Sequence, residues 1–315
     1  SRSGSTLLND VLNKHSKIIG MNELHYFDQI NSKPEKDISR KLLIKYFARL
    51  YATQEKNHWI EVSEKDIEKA EIFLDSLNKN VINGFQLYFK FTELTAKNAN
   101  AEITVDQTGK YIFYINSISK GYPDSKFIYI YRDPRAVLYS QKFRWKIRMR
   151  GSPNVPEIDS IRTFINYHPF TMSWLMYKIN MIAEKIKSKE NVYFICYEDL
   201  IVQPEREIKN ICRFLNVNFE ENMLDVSLIT SSHNSDNSGQ GFIKENINRW
   251  KKRLSKTEIW INQIINARFI NNQDYYKINV FPNLVLLLMW IILYPIHVLG
   301  VILINYKNIL RVFGK

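Results

Sequence analysis

Lys126-Phe127-Ile128-Tyr129-Ile130-Tyr131, followed at once by Arg132-Asp133-Pro134, is the stretch on which the fold turns. The unbroken run of β-branched and aromatic residues reads as a buried strand. Asp-Pro directly after it reads as a helix start, with proline in the first turn where its missing N–H costs nothing. The same alternation recurs on both sides. Glu102 to Val105 reads as a short strand ending at Asp106, with a helix over Lys110 to Lys120. Asn191 to Tyr197 reads as another strand, and Gln203-Pro204 opens a helix to about Leu215, while residues 160–188 carry one long helical pattern. Strands alternating with helices predict an α/β fold with a parallel sheet covered on both faces and ligands at the carboxyl ends of its strands.

Towards the N-terminus, residues 36–97 place Leu, Ile, Phe and Tyr at three- and four-residue intervals among charges, the pattern of packed amphipathic helices. Residues 15–26 read as an irregular stretch holding Gly20 and Glu23, and residues 5–14 as a helix with Leu7, Leu8, Val11 and Leu12 on one side. The sequence opens on Ser1-Arg2-Ser3-Gly4-Ser5-Thr6. Such a loop normally follows a strand, so the first strand of the sheet is expected ahead of Ser1, outside this sequence. Towards the C-terminus, residues 231–243 read as a polar loop and Trp250-Lys251-Lys252-Arg253 as the start of a basic helix. From Ile278 to Tyr306 there is no formally charged residue. Leu284 to Ile304 as a helix would reach about 30 Å, the thickness of a bilayer core. Pro295 and Gly300 predict a kink halfway, which would permit a re-entrant hairpin.

The chain has 315 residues, a net charge of +12 and two cysteines. That length accommodates one large domain and an appendage. The charge suits anionic ligands, anionic lipid or nucleic acid alike. Cys196 and Cys212 offer neither a disulfide framework nor, with the histidines, a zinc site. No Asn-x-Ser/Thr acceptor occurs. His15 and His25 read as ordinary histidines. The basic run Lys142, Arg144, Lys146, Arg148 and Arg150, with Phe143 and Trp145 between, reads as a wet helix face rather than a nucleic-acid stripe.

Two segments point to anion chemistry. The loop at Arg2, Ser3, Gly4, Ser5 and Thr6 supplies a guanidinium, hydroxyls and the N–H groups of a helix N-terminus, which suit phosphate or sulfate. Arg132 stands at a strand end, with Ser140 and Arg144 four residues apart on a later helical face.

Arg2-Ser3-Gly4-Ser5-Thr6-Leu7-Leu8 resembles the 5′-phosphosulfate loop of sulfotransferases that use 3′-phosphoadenosine 5′-phosphosulfate (PAPS), with Ser5 where Thr is usual. Arg132 and Ser140 resemble the 3′-phosphate pair of that family, and Tyr197-Glu198-Asp199-Leu200 its tyrosine-bearing strand end. The pattern is nearest the tyrosylprotein and Golgi-type carbohydrate branch and covers about residues 1–255. The resemblance implies a three-layer P-loop-like parallel sheet and a catalytic domain over 1–278; it leaves the hydrophobic tail over 279–315 unexplained, and the uncharged apolar run is what makes that tail a membrane-associating segment. It implies Glu23, in Gly20-Met21-Asn22-Glu23, as catalytic base, with Arg2 serving the leaving phosphate. It also implies Arg144, Tyr197, Ser235 and Arg249 as further cofactor contacts. One departure is Gln107, in Val105-Asp106-Gln107-Thr108-Gly109, where relatives often carry Lys; Gln donates a hydrogen bond but no charge.

The chemistry asks for these types on its own terms. Sulfuryl transfer builds charge on the leaving phosphate while the acceptor loses a proton, so a cation and N–H donors are needed at one end and a base at the other. No metal and no nucleic acid enters the scheme. The expected acceptor is a carbohydrate or glycolipid hydroxyl, with protein tyrosine second; the alternative is a membrane-tethered nucleotide-binding protein without catalysis. A P-loop kinase is disfavoured, since Gly-x-x-x-x-Gly-Lys-Ser/Thr is absent. The expected location is a membrane, either a bacterial cytoplasmic face or the Golgi.

Overall fold

The computed structural model describes residues 2–30, 34–56, 61–77, 83–149, 155–226, 241–273 and 275–306, with residues 150 and 307–313 described by backbone alone. It is a mixed α/β chain, mostly helical, that divides into two compact units. One contains residues 3–127 and 205–226; the other contains residues 128–204 and 227–315 together with Arg2.

In the first unit the opening loop turns at Gly4, whose φ of 104° only glycine adopts easily, and enters the helix Ser5–Asn13. Strand β1 (Ile18–Met21) follows and pairs in parallel with β2 (Ile103–Asp106), Met21 lying opposite Asp106. The stretch expected to be irregular therefore holds a strand. Four residues with a glycine inside carry too little apolar signal to announce one, and pairing with β2 supplies what the local sequence lacks. Gly20 serves close packing: a Cβ there would lie 2.7 Å from Asn9 Oδ1. The Ser5–Asn13 helix thereby reaches the strand directly, with Asn13 Oδ1 accepting from Gly20 N at 2.8 Å. Helices Arg40–Lys56, Glu64–Ser76 and Gly84–Asn98 form where the period predicts them, the last two started by capping boxes at Ser63 and Asn83. Their apolar faces enclose an aromatic core in which Tyr26, Phe27, Phe47 and Phe91 are almost fully buried. The helix expected over Lys110 to Lys120 is split into a 3-10 turn, Gly109–Phe113, and a helix, Ile115–Gly121.

In the second unit β3 (Phe127–Tyr131) pairs with β4 (Val192–Cys196). The helix Pro134–Lys142 starts as the sequence predicts, Asp133 accepting from Arg135 N at 2.8 Å. The pattern over 160–188 resolves into two helices, Glu157–Ile165 and Pro169–Ile186. Proline bars its predecessor from helical geometry, and His168 is extended at φ −149°, ψ 136°. The basic helix at Trp250 is a single turn, Trp250–Arg253, followed by Lys256–Ile265. Ala136, Leu138, Trp250, Leu254 and Ile259 form the core here. The tail is one helix, Leu284–Phe313, continuing through Pro295 and Gly300, so no re-entrant hairpin forms.

Candidate active site

Each unit presents expected site residues at its own strand ends. In the first unit, Ser3, Gly4, Ser5 and Thr6 are half-buried at the start of the Ser5–Asn13 helix. Beyond β1 the chain reaches Glu23 and His25, and beyond β2 it reaches Gln107 and Thr108. The two strand ends are tied together, since His25 N donates to Thr108 Oγ1 at 3.2 Å and Thr108 Oγ1 donates to Asp106 Oδ1 at 2.6 Å. Tyr88 OH donates to the other oxygen of Asp106 at 2.9 Å. His25 holds the left-handed φ of 52°.

Glu23 does not stand alone. Its Oε2 lies 3.3 Å from His25 Nε2, while His25 Nδ1 lies 3.4 Å from Asp28 Oδ2 and Lys110 Nζ lies 3.1 Å from the same Asp28 oxygen. Burial works against a charged imidazole here, but the hydrogen bonds to Asp28 and then Glu23, with the charge of Glu23, carry the His25 pKa up to about 9. Burial likewise opposes the Asp28 carboxylate, and the contacts with His25 and Lys110 outweigh it and hold the pKa below the ordinary value. His25 is therefore an imidazolium at neutral pH. It fixes Glu23 and is itself no base. Sequence reading singled out Glu23 but not its partners: Asp28 is an ordinary acid of a short helix, and Lys110 joins from 82 residues further on.

In the second unit, Arg132 follows β3. Its Nη2 donates to Asn246 O at 2.9 Å, and its guanidinium lies 4.1 Å above the ring of Tyr197, a cation–π contact that holds the plane of the fork. Its Nε is buried and has no hydrogen-bond partner. Ser140, two turns along the next helix, accepts from Arg2 Nε at 3.0 Å, so two expected site residues meet across 138 positions. Arg2 holds a φ of 73°. Arg144 opens the 3-10 segment Arg144–Arg150, and Arg249 precedes the Trp250 turn. Ser235 lies outside the described residues.

The loop carrying Arg132 is braced by residues that the sequence did not single out. Glu198 accepts from Asp133 N at 3.1 Å and from Tyr275 OH at 2.8 Å. Arg135 is 2% exposed, bidentate with Asp133, stacked on Trp250 at 4.2 Å and bonded to Gln263 Oε1 at 2.8 Å. In the basic run, Lys142 bonds Glu258 Oε2 at 2.8 Å and Arg148 bonds Val155 O at 2.9 Å. These two cations brace the protein. His15 is a satisfied core histidine, its ring bonded to Asn218 O at 2.8 Å. Burial, then the charge of Glu198, push the Cys196 thiol up to about 12, which leaves it inert as a nucleophile. No group of His, Cys, Asp and Glu among the described residues is arranged to hold a metal ion.

The sequence matches the profile described as Sulfotransferase family over residues 1–221. A Caenorhabditis briggsae protein named "Putative protein-tyrosine sulfotransferase" is 31% identical over 134 residues, covering 42% of this chain and 44% of that protein. A Caenorhabditis elegans protein of the same name is 29% identical over 134 residues, covering 42% and 48%. The matches thus span about half the length of these curated relatives. Among solved structures, the sulfotransferase domain of the Synechococcus PCC 7002 olefin synthase superposes with a TM-score of 0.51 at 19% identity, covering 88% of this chain and 92% of that one. The sulfotransferase domain from the curacin biosynthetic pathway gives 0.49 at 21% identity, covering 85% and 94%. The first of these two likenesses shows a shared fold.

Proposed function

Because the chain belongs to the sulfotransferase family, whose profile covers residues 1–221, we propose that it moves a sulfuryl group from PAPS to a hydroxyl acceptor. PAPS, when bound, supplies the activated sulfuryl group on a phosphate leaving group. The observation that carries the reading is Arg132, stacked on Tyr197 and anchored through Nη2 while its buried Nε lacks a partner. A buried guanidinium N–H left over is the donor that a phosphate oxygen satisfies. We assign Arg132, Ser140 and Arg144, with Tyr197 and Arg249 beside them, to the 3′-phosphate. Arg2 and the loop Ser3 to Thr6 are assigned to the 5′-phosphosulfate, and Ser235 to the nucleotide on the family resemblance alone. Glu23, steadied by the His25 cation, takes the acceptor proton.

In this reading residues 1–278 carry the activity and the tail from 279 attaches it to a membrane. The acceptor is a carbohydrate or glycolipid hydroxyl, in keeping with the basic charge and apolar tail. A tyrosine hydroxyl is the second reading, favoured by the name of the Caenorhabditis relatives. A thermal shift with adenosine 3′,5′-bisphosphate against ATP tests the nucleotide. Stabilisation by the bisphosphate alone is expected, and a preference for ATP rejects the reading. Offering labelled PAPS with a tyrosine peptide or an oligosaccharide then separates the acceptors.

A further inference from the structure

The helix Glu157–Ile165 is inside out. Ile158, Ile161 and Phe164, at three-residue spacing on one face, are 49%, 50% and 61% exposed, whereas the Asp159 side chain is 13% exposed and turned inward to Arg162. Ser160 Oγ is buried without a partner. In water this arrangement leaves the apolar face of the helix outward and turns Asp159 and Ser160 in.

The neighbour of this helix explains it. The tail helix holds a 23-residue apolar run, Leu284–Tyr306, of mean hydropathy 2.5, none of its most apolar window being buried. One stripe of the run faces the protein and carries its polar atoms: Asn305 Nδ2 donates to Asn166 Oδ1 at 2.8 Å, and His297 Nε2 lies 3.2 Å from Thr171 Oγ1. Trp290 and His297 pack on His168 at 4.6 and 4.7 Å between ring centres. Gly300 lies against Ile165, close enough that a Cβ would sit 3.5 Å from it. The remaining faces expose Leu288, Ile292, Ile296, Leu299 and Leu303. Contacts with the polar body thus run along the middle and far part of the run. A helix standing across the bilayer would draw Asn166, His168 and the exposed Glu157–Arg148 pair, 3.3 Å apart, towards hydrocarbon, where unsolvated charge is costly.

We infer that the apolar run lies in the plane of one leaflet and that the helix Glu157–Ile165 lies beside it with Ile158, Ile161 and Phe164 in lipid, the two forming a monotopic docking platform. A bilayer is the occupant that fits. The run has membrane length, about 34 Å, and its exposed sides carry Leu, Ile, Val and Met, with Tyr294 and Tyr306 the exposed polar-tipped residues. It is followed in the sequence by Lys307 and Arg311, which suit anionic headgroups. The inference deepens the membrane association proposed above and adds a surface that lies outside the tail.

The test is co-sedimentation of the full chain with vesicles of phosphatidylcholine and phosphatidylglycerol. Ile158→Glu/Ile161→Glu and Ile292→Glu/Leu299→Glu should each lower the bound fraction about tenfold and keep the circular dichroism spectrum. Unchanged binding by Ile158→Glu/Ile161→Glu overturns the platform while leaving a tail anchor standing. A parent chain that ignores vesicles and is a dimer dissociated by Ile158→Glu/Ile161→Glu overturns it in favour of a second copy. A fluorophore on Ile292→Cys, with the unsubstituted chain as blank, should be quenched best by shallow doxyl lipid. Best quenching by deep doxyl lipid shows a span and overturns the in-plane placement.

Discussion

The two sets of strand ends differ in how their charges are settled. Beyond β1 and β2, Glu23 and Asp28 face His25 and Lys110, cation against anion. Beyond β3, Arg132 has an aromatic face and one carbonyl as fixed partners, and a buried Nε with none. A compensated cluster suits a group that must change its proton count without collapsing the site. An incomplete one suits a ligand that brings its own negative charge. The contrast is in keeping with the proposal that Glu23 takes the acceptor proton and Arg132 holds the 3′-phosphate.

Breaking the first side should cost the most. Glu23→Gln removes the proposed base and is expected to lower turnover by roughly 100-fold or more, with bisphosphate binding kept. A rate within a factor of a few of the parent would move the base elsewhere, and the charged His25 is poorly placed to replace it. Breaking the second side is a binding effect. Arg132→Ala should weaken adenosine 3′,5′-bisphosphate by about 1.5 to 3 kcal/mol in calorimetry, and equal affinity would remove Arg132 from the phosphate site.

Two smaller effects sharpen the comparison. Gly20→Ala puts a methyl 2.7 Å from Asn9 Oδ1 and should cost about 1 to 3 kcal/mol of stability, read by urea unfolding. No change would mean that the Ser5–Asn13 helix yields easily. His25 titrates with a pKa raised from the ordinary 6.5 to about 9. Its stabilising contribution is therefore complete below pH 6.5 and lost as the pH rises through 9. The melting-temperature gap between the parent and His25→Ala should be widest near pH 6 and narrow by pH 10; a gap that widens with pH contradicts the pairing.

What the sequence made legible was local. The strand at Phe127–Tyr131 and the Asp133-Pro134 helix start needed only neighbours in the chain, and both stand as read. Arg2 with Ser140, and Arg132 with Tyr197, were singled out as site residues, and the structure brings each pair together. β1 was hidden because Gly20 and its short length mask a strand that exists through β2. The break before Pro169 was hidden because residues 160–188 keep helical spacing across it. Arg135 gave no sign of burial, since Gln263 and Trp250, the partners that make burial tolerable, are more than 100 residues away. The apolar face of Glu157–Ile165 was hidden for the converse reason: its periodicity is ordinary, and only its orientation is not.

The central claim, sulfuryl transfer from PAPS, is tested most directly by incubating the chain with radiolabelled PAPS and hydroxyl acceptors and following the label. The account predicts label on the acceptor, at a rate that falls with Glu23→Gln and with Arg132→Ala for different reasons, the first in kcat and the second in KM for PAPS. Tight bisphosphate binding with no label moved to any hydroxyl acceptor would contradict it and leave a nucleotide-binding protein in the place of an enzyme.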